Sequence, residues 1–196
     1  MDTKVALHSY FQKRRAELLG KLDGLDEYHM RRPMTGTGTN LLGLVKHVAS
    51  VELGYFGETF NRPSGRELPW YNEDAAPDAD MWVPAEQSSQ EIIELHHFAA
   101  EYADQTINAL ELDAPGEVPW WGPEKRNVTL GQILVHMLSE VAQHLGHADI
   151  IRENMDGVVG QGPGDPNVSF YNQEQFSELA ARIESAAREA QQSPKI

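Results

Sequence analysis

Four side chains that could bind a metal ion come from two separate parts of the sequence. Glu140, His144 and His147 follow one another within a largely apolar stretch, and His47 lies in an earlier one. Side chains three and four residues apart lie on the same face of an α-helix, so Glu140, His144 and His147 should converge there. Imidazole nitrogens and carboxylate oxygens are good ligands for zinc and neighbouring divalent cations. The spacing therefore predicts half of a metal site, which His47 would complete from another helix.

The same helix face is also apolar, and this makes a bound cation more favourable. At about 100° per residue, Glu140, His144 and His147 fall within a sector of roughly 60° that also contains Ile151. A buried carboxylate or imidazole without a partner would carry a desolvation cost of several kcal/mol. A divalent cation would offset that cost. The alternative for each histidine alone is a hydrogen-bonded core residue. For His136, one turn before Glu140, a core or surface role is expected, with a contact to the metal ligands as the alternative.

Apolar residues recur at helical spacing along the chain, whereas the alternation typical of β-strands does not extend over any long window. The pattern predicts an all-α fold of five helices separated by long loops. Ser88 with Glu91 and Thr129 with Gln132 form two capping boxes at helix starts. The predicted helices run from Val5 to Leu22, from Asn40 to Phe56, from Ser88 to Leu112, from Leu130 to Met155 and from Gln173 to Glu189.

Two long connections, Asn61–Gln87 and Ala114–Asn127, are rich in proline and glycine, which interrupt helices. Their aromatic residues predict that the first connection folds back over the helices, because disordered segments are usually poor in aromatics. The tryptophans of both connections are candidates for pocket walls, with structural packing as the alternative. These aromatic residues are Trp70, Tyr71 and Trp82 in the first connection and Trp120 and Trp121 in the second. A third loop, Gly157–Pro166, precedes the last helix.

Length and charge limit the classes of function. The 196 residues fit a single helical-bundle domain over residues 1–190 with a polar tail at 191–196. Thirty acidic against sixteen basic residues give a net charge of −14, which argues against nucleic acid and anionic membranes as partners. No segment approaches the roughly 20 apolar residues that span a bilayer, so a cytoplasmic location is predicted. The chain has no cysteine, and any reactive thiol must come from outside.

The chain resembles the DinB-like (DinB/YfiT-like) metalloproteins, four-helix bundles that include S-transferases and isomerases dependent on low-molecular-weight thiols. The resemblance covers most of the chain and is closest to the mycothiol-dependent S-transferase branch. It rests on the second helix, on the histidine-bearing fourth helix and on the residues that follow its histidines. The matching stretches are Leu41–His47, with the sequence LLGLVKH, and Ala148–Glu153, with the sequence ADIIRE.

The resemblance implies which residues bind the metal. His47 matches the family's ligand from the second helix, and His144 matches its ligand from the fourth helix. The third ligand commonly lies one turn before His144, which indicates Glu140, but His147 one turn after could replace or join it. The expected set is therefore His47, His144, His147 and Glu140, with zinc as the first choice of metal and nickel, iron or manganese as alternatives.

The activity implied is transfer of an external thiol. A metal held by three protein ligands keeps a position where a thiol can bind and lose its proton, and the thiolate is the nucleophile. A mycothiol-like cosubstrate would then attack an electrophilic small molecule, a detoxification reaction. Trp120, Trp121 and Arg152 are the predicted substrate-binding residues, although an interhelical salt bridge is the alternative for Arg152 and Asp149.

Two other classes of function use the same helices. Isomerisation or hydrolysis through a metal-bound water would keep the same ligands and differ only in the pocket. A non-catalytic bundle, serving in assembly or regulation, would keep the helices without binding metal. A homodimer is compatible with each of these classes.

Overall fold

The computed structural model describes residues 2–160, 165, 167 and 171–192. Within them the chain is mainly helical, as the sequence pattern predicts. Six α-helices are joined by two short 3₁₀ turns, at Glu58–Phe60 and Pro69–Tyr71, and by one small antiparallel sheet. The elements are α1 (Thr3–Gly20), α2 (Glu27–Arg31), α3 (Leu41–Phe56), α4 (Ser89–Ala109), β1 (Pro115–Glu117), β2 (Asn127–Thr129), α5 (Leu130–Asp156) and α6 (Gln173–Gln192).

Helices α1, α3, α4 and α5 form the bundle. α3 packs against both α4 and α5, and α1 packs against α5 and α4. Their apolar faces bury one large core and a smaller cluster between α3 and α4, because residues at helical spacing point the same way. Fully buried examples from each helix are Phe11 and Leu18, Val45 and Val48, Ile92 and Ile107, and Ile133 and Val141. The predicted all-α fold is confirmed.

Hydrogen bonds from side chains set the helix starts. Ser88 and Glu91 form the predicted capping box of α4, and Thr129 and Gln132 form that of α5. α1 starts at Thr3, two residues before the prediction, because the Asp2 side chain accepts a hydrogen bond from the Val5 amide. Both capping boxes are confirmed, whereas the helix ends differ by a few residues.

Two short elements lie where the sequence predicted only irregular chain. Helix α2 occupies five residues between α1 and α3, with Asp26 as its N-cap. Strands β1 and β2 pair across the second long connection, with Gly116 opposite Val128. Both elements are too short to give a clear periodic signal. The hairpin brings the segment that carries Trp120 and Trp121 close to the end of α3.

The first long connection folds back onto the bundle, as its aromatic residues predict. Trp70 Nε1 donates to Ser50 Oγ at 3.0 Å, which ties the connection to α3. Lys46 Nζ donates to the carbonyls of Ala79 at 2.7 Å and Trp82 at 2.9 Å. These contacts fix the segment over the N-terminal half of α3.

The C-terminal helix α6 ends at Gln192, three residues beyond its predicted end. Residues 161–164, 166, 168–170 and 193–196 lie outside the described residues, and so do parts of the predicted Gly157–Pro166 loop and of the 191–196 tail. The division into one domain and a tail stays a prediction. Among the helices described, none has the length and apolar character needed to span a membrane.

Candidate metal centre

Three predicted ligands, which we call the histidine cluster, meet between α3 and α5. They are His47 on α3 and Glu140 and His144 on α5, and their ligand atoms all lie within 4.8 Å of one another. Glu140 Oε1 is 3.3 Å from His47 Nε2 and 3.0 Å from His144 Nε2. All three side chains are half-buried. Two imidazoles and one carboxylate thus converge on one point.

The position of each ligand follows from helix geometry. Glu140 and His144 are four residues apart, so both point from the same face of α5. His47 approaches from α3, and its ring centroid is 4.9 Å from that of His144 in an edge-to-face arrangement. Because both helices are anchored in the core by apolar neighbours, the three side chains are brought together without help from a loop.

Asp80, from the first long connection, lies behind His47. The Nδ1 atom of His47 donates to Asp80 Oδ2 at 2.7 Å, and the Tyr71 hydroxyl donates to the same oxygen at 3.3 Å. With its proton on Nδ1, a neutral His47 turns the lone pair of Nε2 toward Glu140. A carboxylate behind a histidine is the usual outer-shell partner of a metal ligand, since it fixes the ring and increases its basicity.

Gly43 is the residue that lets Asp80 reach His47. A Cβ atom at Gly43 would lie 1.8 Å from the Met81 carbonyl oxygen, so only glycine allows the connection to pass this close to α3. Asn40 Nδ2 donates to the same Met81 carbonyl at 3.1 Å. Gly43 lies four residues before His47, and the backbone held against it therefore places Asp80 beside the ring.

The electrostatics of the histidine cluster favour the metal-binding protonation states of Glu140 and His144. Burial acts to raise the pKa of Glu140, but hydrogen bonds and charges from His47 and His144 outweigh it, and the pKa lies below its ordinary value. Burial and the nearby His47 lower the pKa of His144. An ionised carboxylate beside neutral imidazoles is the form that binds a divalent cation.

The residues present fit a divalent cation. Two imidazole nitrogens face a single carboxylate oxygen, and His47 already uses its other nitrogen as a donor to Asp80. His47 can hydrogen-bond Glu140 as well as Asp80 only with protons on both ring nitrogens, and a divalent cation can take the place of the Nε2 proton. Among the described residues, neither lysine nor arginine forms an ion pair with Glu140. The donor set, two nitrogens and one oxygen, is typical of zinc and similar metals.

Comparison with known proteins identifies a family for the chain. The sequence model of the family described as Mycothiol-S-transferase matches residues 6–157, which include His47, Glu140 and His144. The chain belongs to this family. A search of curated proteins found no match. The predicted resemblance to DinB-like mycothiol S-transferases is confirmed.

In this member of the Mycothiol-S-transferase family, His147, the fourth predicted ligand, lies outside the group formed by the other three. Its side chain is exposed on α5, and its ring centroid lies 5.5 Å from that of His144. The three-residue group contains Glu140 instead. The geometry therefore favours Glu140 over His147 as the third ligand.

The predicted substrate-binding residues lie in different environments. Arg152 is buried and donates to the carbonyls of Lys21 at 2.6 Å and Asp23 at 3.1 Å and to the Asp156 carboxylate. It lies eight residues after His144, about 12 Å along α5. These bonds give Arg152 a structural role at the end of α1, and none of its contacts supports the predicted role in substrate binding. Nearby, Lys21 pairs with Asp149 at 2.7 Å, as the salt-bridge alternative predicts.

The two tryptophans of the second connection have different surroundings: Trp121 packs against the core, and Trp120 lines a cavity. Trp121 is half-buried, packs against the core, and donates through Nε1 to the Tyr55 hydroxyl at 3.2 Å. Its ring also contacts His136, which packs edge-to-face on Tyr55. Trp120 lines a cavity of about 630 Å³ along α3. Its role in substrate binding stays a prediction that this position supports.

Sequence reasoning missed Asp80 and Tyr71 as parts of the site. Asp80 is one of several aspartates in a connection without periodicity, and nothing in its spacing separates it from Asp74 or Asp78. The one usable signal was the general pairing of metal-binding histidines with a carboxylate. Gly43 belongs to the stretch that carries the family resemblance, and its close contact with Met81 explains why a glycine is needed there.

Proposed function

We propose that this protein is a metal-dependent S-transferase that activates mycothiol, or a closely similar thiol, for attack on an electrophilic small molecule. The observation that carries the proposal is the convergence of His47, Glu140 and His144 in a member of the Mycothiol-S-transferase family. Two imidazoles and one carboxylate form the donor set of many catalytic metal sites, in which three protein ligands leave a further position for a substrate. We expect zinc in the site, with nickel, iron or manganese as alternatives.

The metal would be held by His47, Glu140 and His144. When bound there, a divalent cation supplies Lewis-acid chemistry that lowers the pKa of a thiol, so that thiolate is available at neutral pH. The chain has no cysteine, and the attacking sulfur therefore belongs to the cosubstrate. In the transfer, the thiol loses its proton to solvent, a carbon–sulfur bond forms, and the leaving group departs with the electron pair of its bond to carbon.

The protein's own residues prepare this step by orientation. Asp80 accepts a hydrogen bond from His47 Nδ1 and keeps Nε2 directed at Glu140. Tyr71 donates to Asp80 and restrains the carboxylate in turn. The packing of α3 against α5 keeps Glu140 and His144 within contact of His47. Such a constellation holds the ligands in place before the substrate arrives, which reduces reorganisation during the reaction.

The test is a transfer assay with mycothiol and a chromogenic aryl halide, which yields a thioether and a halide ion. We expect thiol-dependent product from the zinc-loaded protein, loss of product after chelation, and recovery on adding zinc. His144→Ala should lose the activity, whereas His147→Ala on the same helix should retain it. Turnover that continues unchanged in the chelated protein would contradict metal dependence, and consumption of the electrophile without thiol would indicate hydrolysis instead.

A further inference from the structure

A cavity of about 630 Å³ runs along α3, starting one helical turn beyond His47. Its volume falls within the range of small-molecule sites. Ser50, three residues after His47, contributes to its wall, so the cavity begins about 4.5 Å along the helix axis from that ligand. Tyr71 forms another part of the wall and donates to Asp80, which holds His47. The cavity and the histidine cluster therefore share a structural boundary.

Aromatic rings line one side of the cavity. Trp120 lies directly on α3, because Gly54 has no side chain and a Cβ there would be 3.0 Å from the indole ring. Tyr55 packs edge-to-face against Trp120 with ring centroids 5.2 Å apart. Trp120 and Tyr71 remain 52% and 50% exposed, although both are large aromatic residues. Ring surface is thus available to a ligand.

Polar groups of both signs line the other side. Glu58 and Arg66 are exposed at the cavity, and neither forms an ion pair within the described part of the chain. The guanidinium of Arg66 lies over the Phe98 ring, 5.6 Å from its centre, and this contact positions the side chain. Ser64 adds a hydroxyl that accepts a hydrogen bond from the Arg66 amide. The cavity therefore offers both strong acceptors and strong donors.

We propose that this cavity binds the neutral, hydroxyl-rich body of the thiol cosubstrate, with its sulfur directed toward the histidine cluster. The assignment rests on the proposed function. Mycothiol carries its cysteine on a glucosamine–inositol unit. The apolar faces of such rings fit against Trp120 and Tyr71, while their hydroxyls donate to Glu58 and accept from Arg66. An apolar ligand would make no hydrogen bond with either side chain, and for an anionic ligand the repulsion from Glu58 would oppose the attraction to Arg66.

The direct test measures binding of the fragment N-acetylglucosaminyl-inositol, in which an acetyl group replaces the cysteine and keeps the nitrogen as a neutral amide, by titration calorimetry on metal-depleted protein. We expect the parent to bind it and Trp120→Ala and Arg66→Ala each to weaken the affinity at least about fivefold, the size of one significant contact. Trp82→Ala is the matched control, because Trp82 is 48% exposed and does not line the cavity. Arg66 is a surface residue, so its removal should leave the fold intact.

A second measurement uses the transfer assay with two thiols of different size. Both cavity variants should raise KM for mycothiol at least about fivefold and leave KM for N-acetylcysteine, which lacks the sugar rings, unchanged. Failure of the fragment to bind the parent, or equal binding by parent and both variants, would overturn the cavity assignment even if the protein transfers mycothiol. Absence of metal-dependent transfer in the parent would instead overturn the proposed function, since fragment binding needs neither metal nor sulfur.

Discussion

Two polar clusters between the bundle helices differ in the source of their positive charge. In the first, the arginine cluster, Arg15 on α1 donates to Glu52 on α3 at 2.5 Å and to Asp104 on α4 at 2.7 Å. In the histidine cluster, Glu140 meets only the imidazoles of His47 and His144 within the described residues. One cluster carries its own cation, whereas the other is arranged around a carboxylate without one.

This difference separates a structural cluster from a functional one. Arg15 is 5% exposed and Glu52 is fully buried, so the ion pair links three helices inside the core. Such a pair is costly to break because the remaining charge stays buried. The histidine cluster is half-buried, and Tyr71, which donates to Asp80 behind His47, lines a cavity next to it. The comparison predicts that mutations in the first cluster affect stability and those in the second affect metal binding.

The largest expected effect on stability comes from removing the Arg15 side chain, the cation of the arginine cluster. Arg15→Met should lower the free energy of unfolding by about 3–5 kcal/mol at pH 8, because Glu52 then stays buried without its partner and must either bind a proton or carry an uncompensated charge. Urea denaturation measures the change. The double variant Arg15→Met/Glu52→Leu should recover most of the loss, since it removes both charges. A loss below about 1 kcal/mol in the single variant would show that the arginine cluster is not structural.

The pH dependence of stability gives a second test of the arginine cluster. Burial raises the pKa of Glu52 to about 7 despite the nearby Arg15, from an ordinary value of 4.5. The folded state therefore holds this proton more tightly than the unfolded state. The contribution of Glu52 to stability is greatest below pH 4.5 and declines as pH rises toward 7, by up to about 3 kcal/mol.

Glu52→Gln isolates that contribution, because the amide does not titrate. Urea denaturation at intervals between pH 5 and pH 8 should show a smaller decline with rising pH in this variant than in the parent. Identical slopes in parent and variant would mean that Glu52 does not change its protonation on unfolding in this range.

The outer shell of the histidine cluster provides the next test. Asp80→Asn should reduce zinc affinity by about 10-fold to 100-fold, because His47 loses the carboxylate that orients and polarises its ring. Competition with a chromogenic chelator measures the affinity. Asp78→Asn is the matched control, since Asp78 is exposed in the same connection. Equal zinc affinities in the two variants would show that Asp80 does not contribute to metal binding.

The smallest effect is expected at His147. Its exposed side chain lies outside the three-residue group, so His147→Ala should change zinc affinity less than about threefold and leave stability within about 0.5 kcal/mol of the parent. The same chelator competition measures this. A loss as large as that of His144→Ala would make His147 a ligand and would reopen the choice against Glu140.

The sequence predicts what depends on local periodicity. The four bundle helices, their capping boxes and the shared face of Glu140 and His144 all follow from spacings of three and four residues. The residue type and apolar surroundings of His47 predict that it completes the metal site, and the family resemblance supports this prediction. The choice of Glu140 over His147 could not be made, because both lie one turn from His144 and differ only in tertiary burial.

Contacts between distant segments are what the sequence does not predict. Asp80 reaches His47 through the close passage of Met81 over Gly43, which depends on the path of an irregular connection. The pairing of Arg15 with Glu52 joins residues 37 positions apart on helices whose rotation the periodicity fixes only approximately. Arg152 was predicted to meet substrate, yet its donors are used by the carbonyls at the end of α1.

Anomalous diffraction from crystals of zinc-loaded protein tests the central claim most directly, because it locates the metal and identifies its ligands together. We predict one zinc peak for each chain, bounded by His47 Nε2, His144 Nε2 and the Glu140 carboxylate, with Asp80 behind His47. Crystals of the His144→Ala variant, loaded with zinc in the same way, should lack the peak. No peak in the parent, or a peak bound by His147 away from His47, would contradict the account.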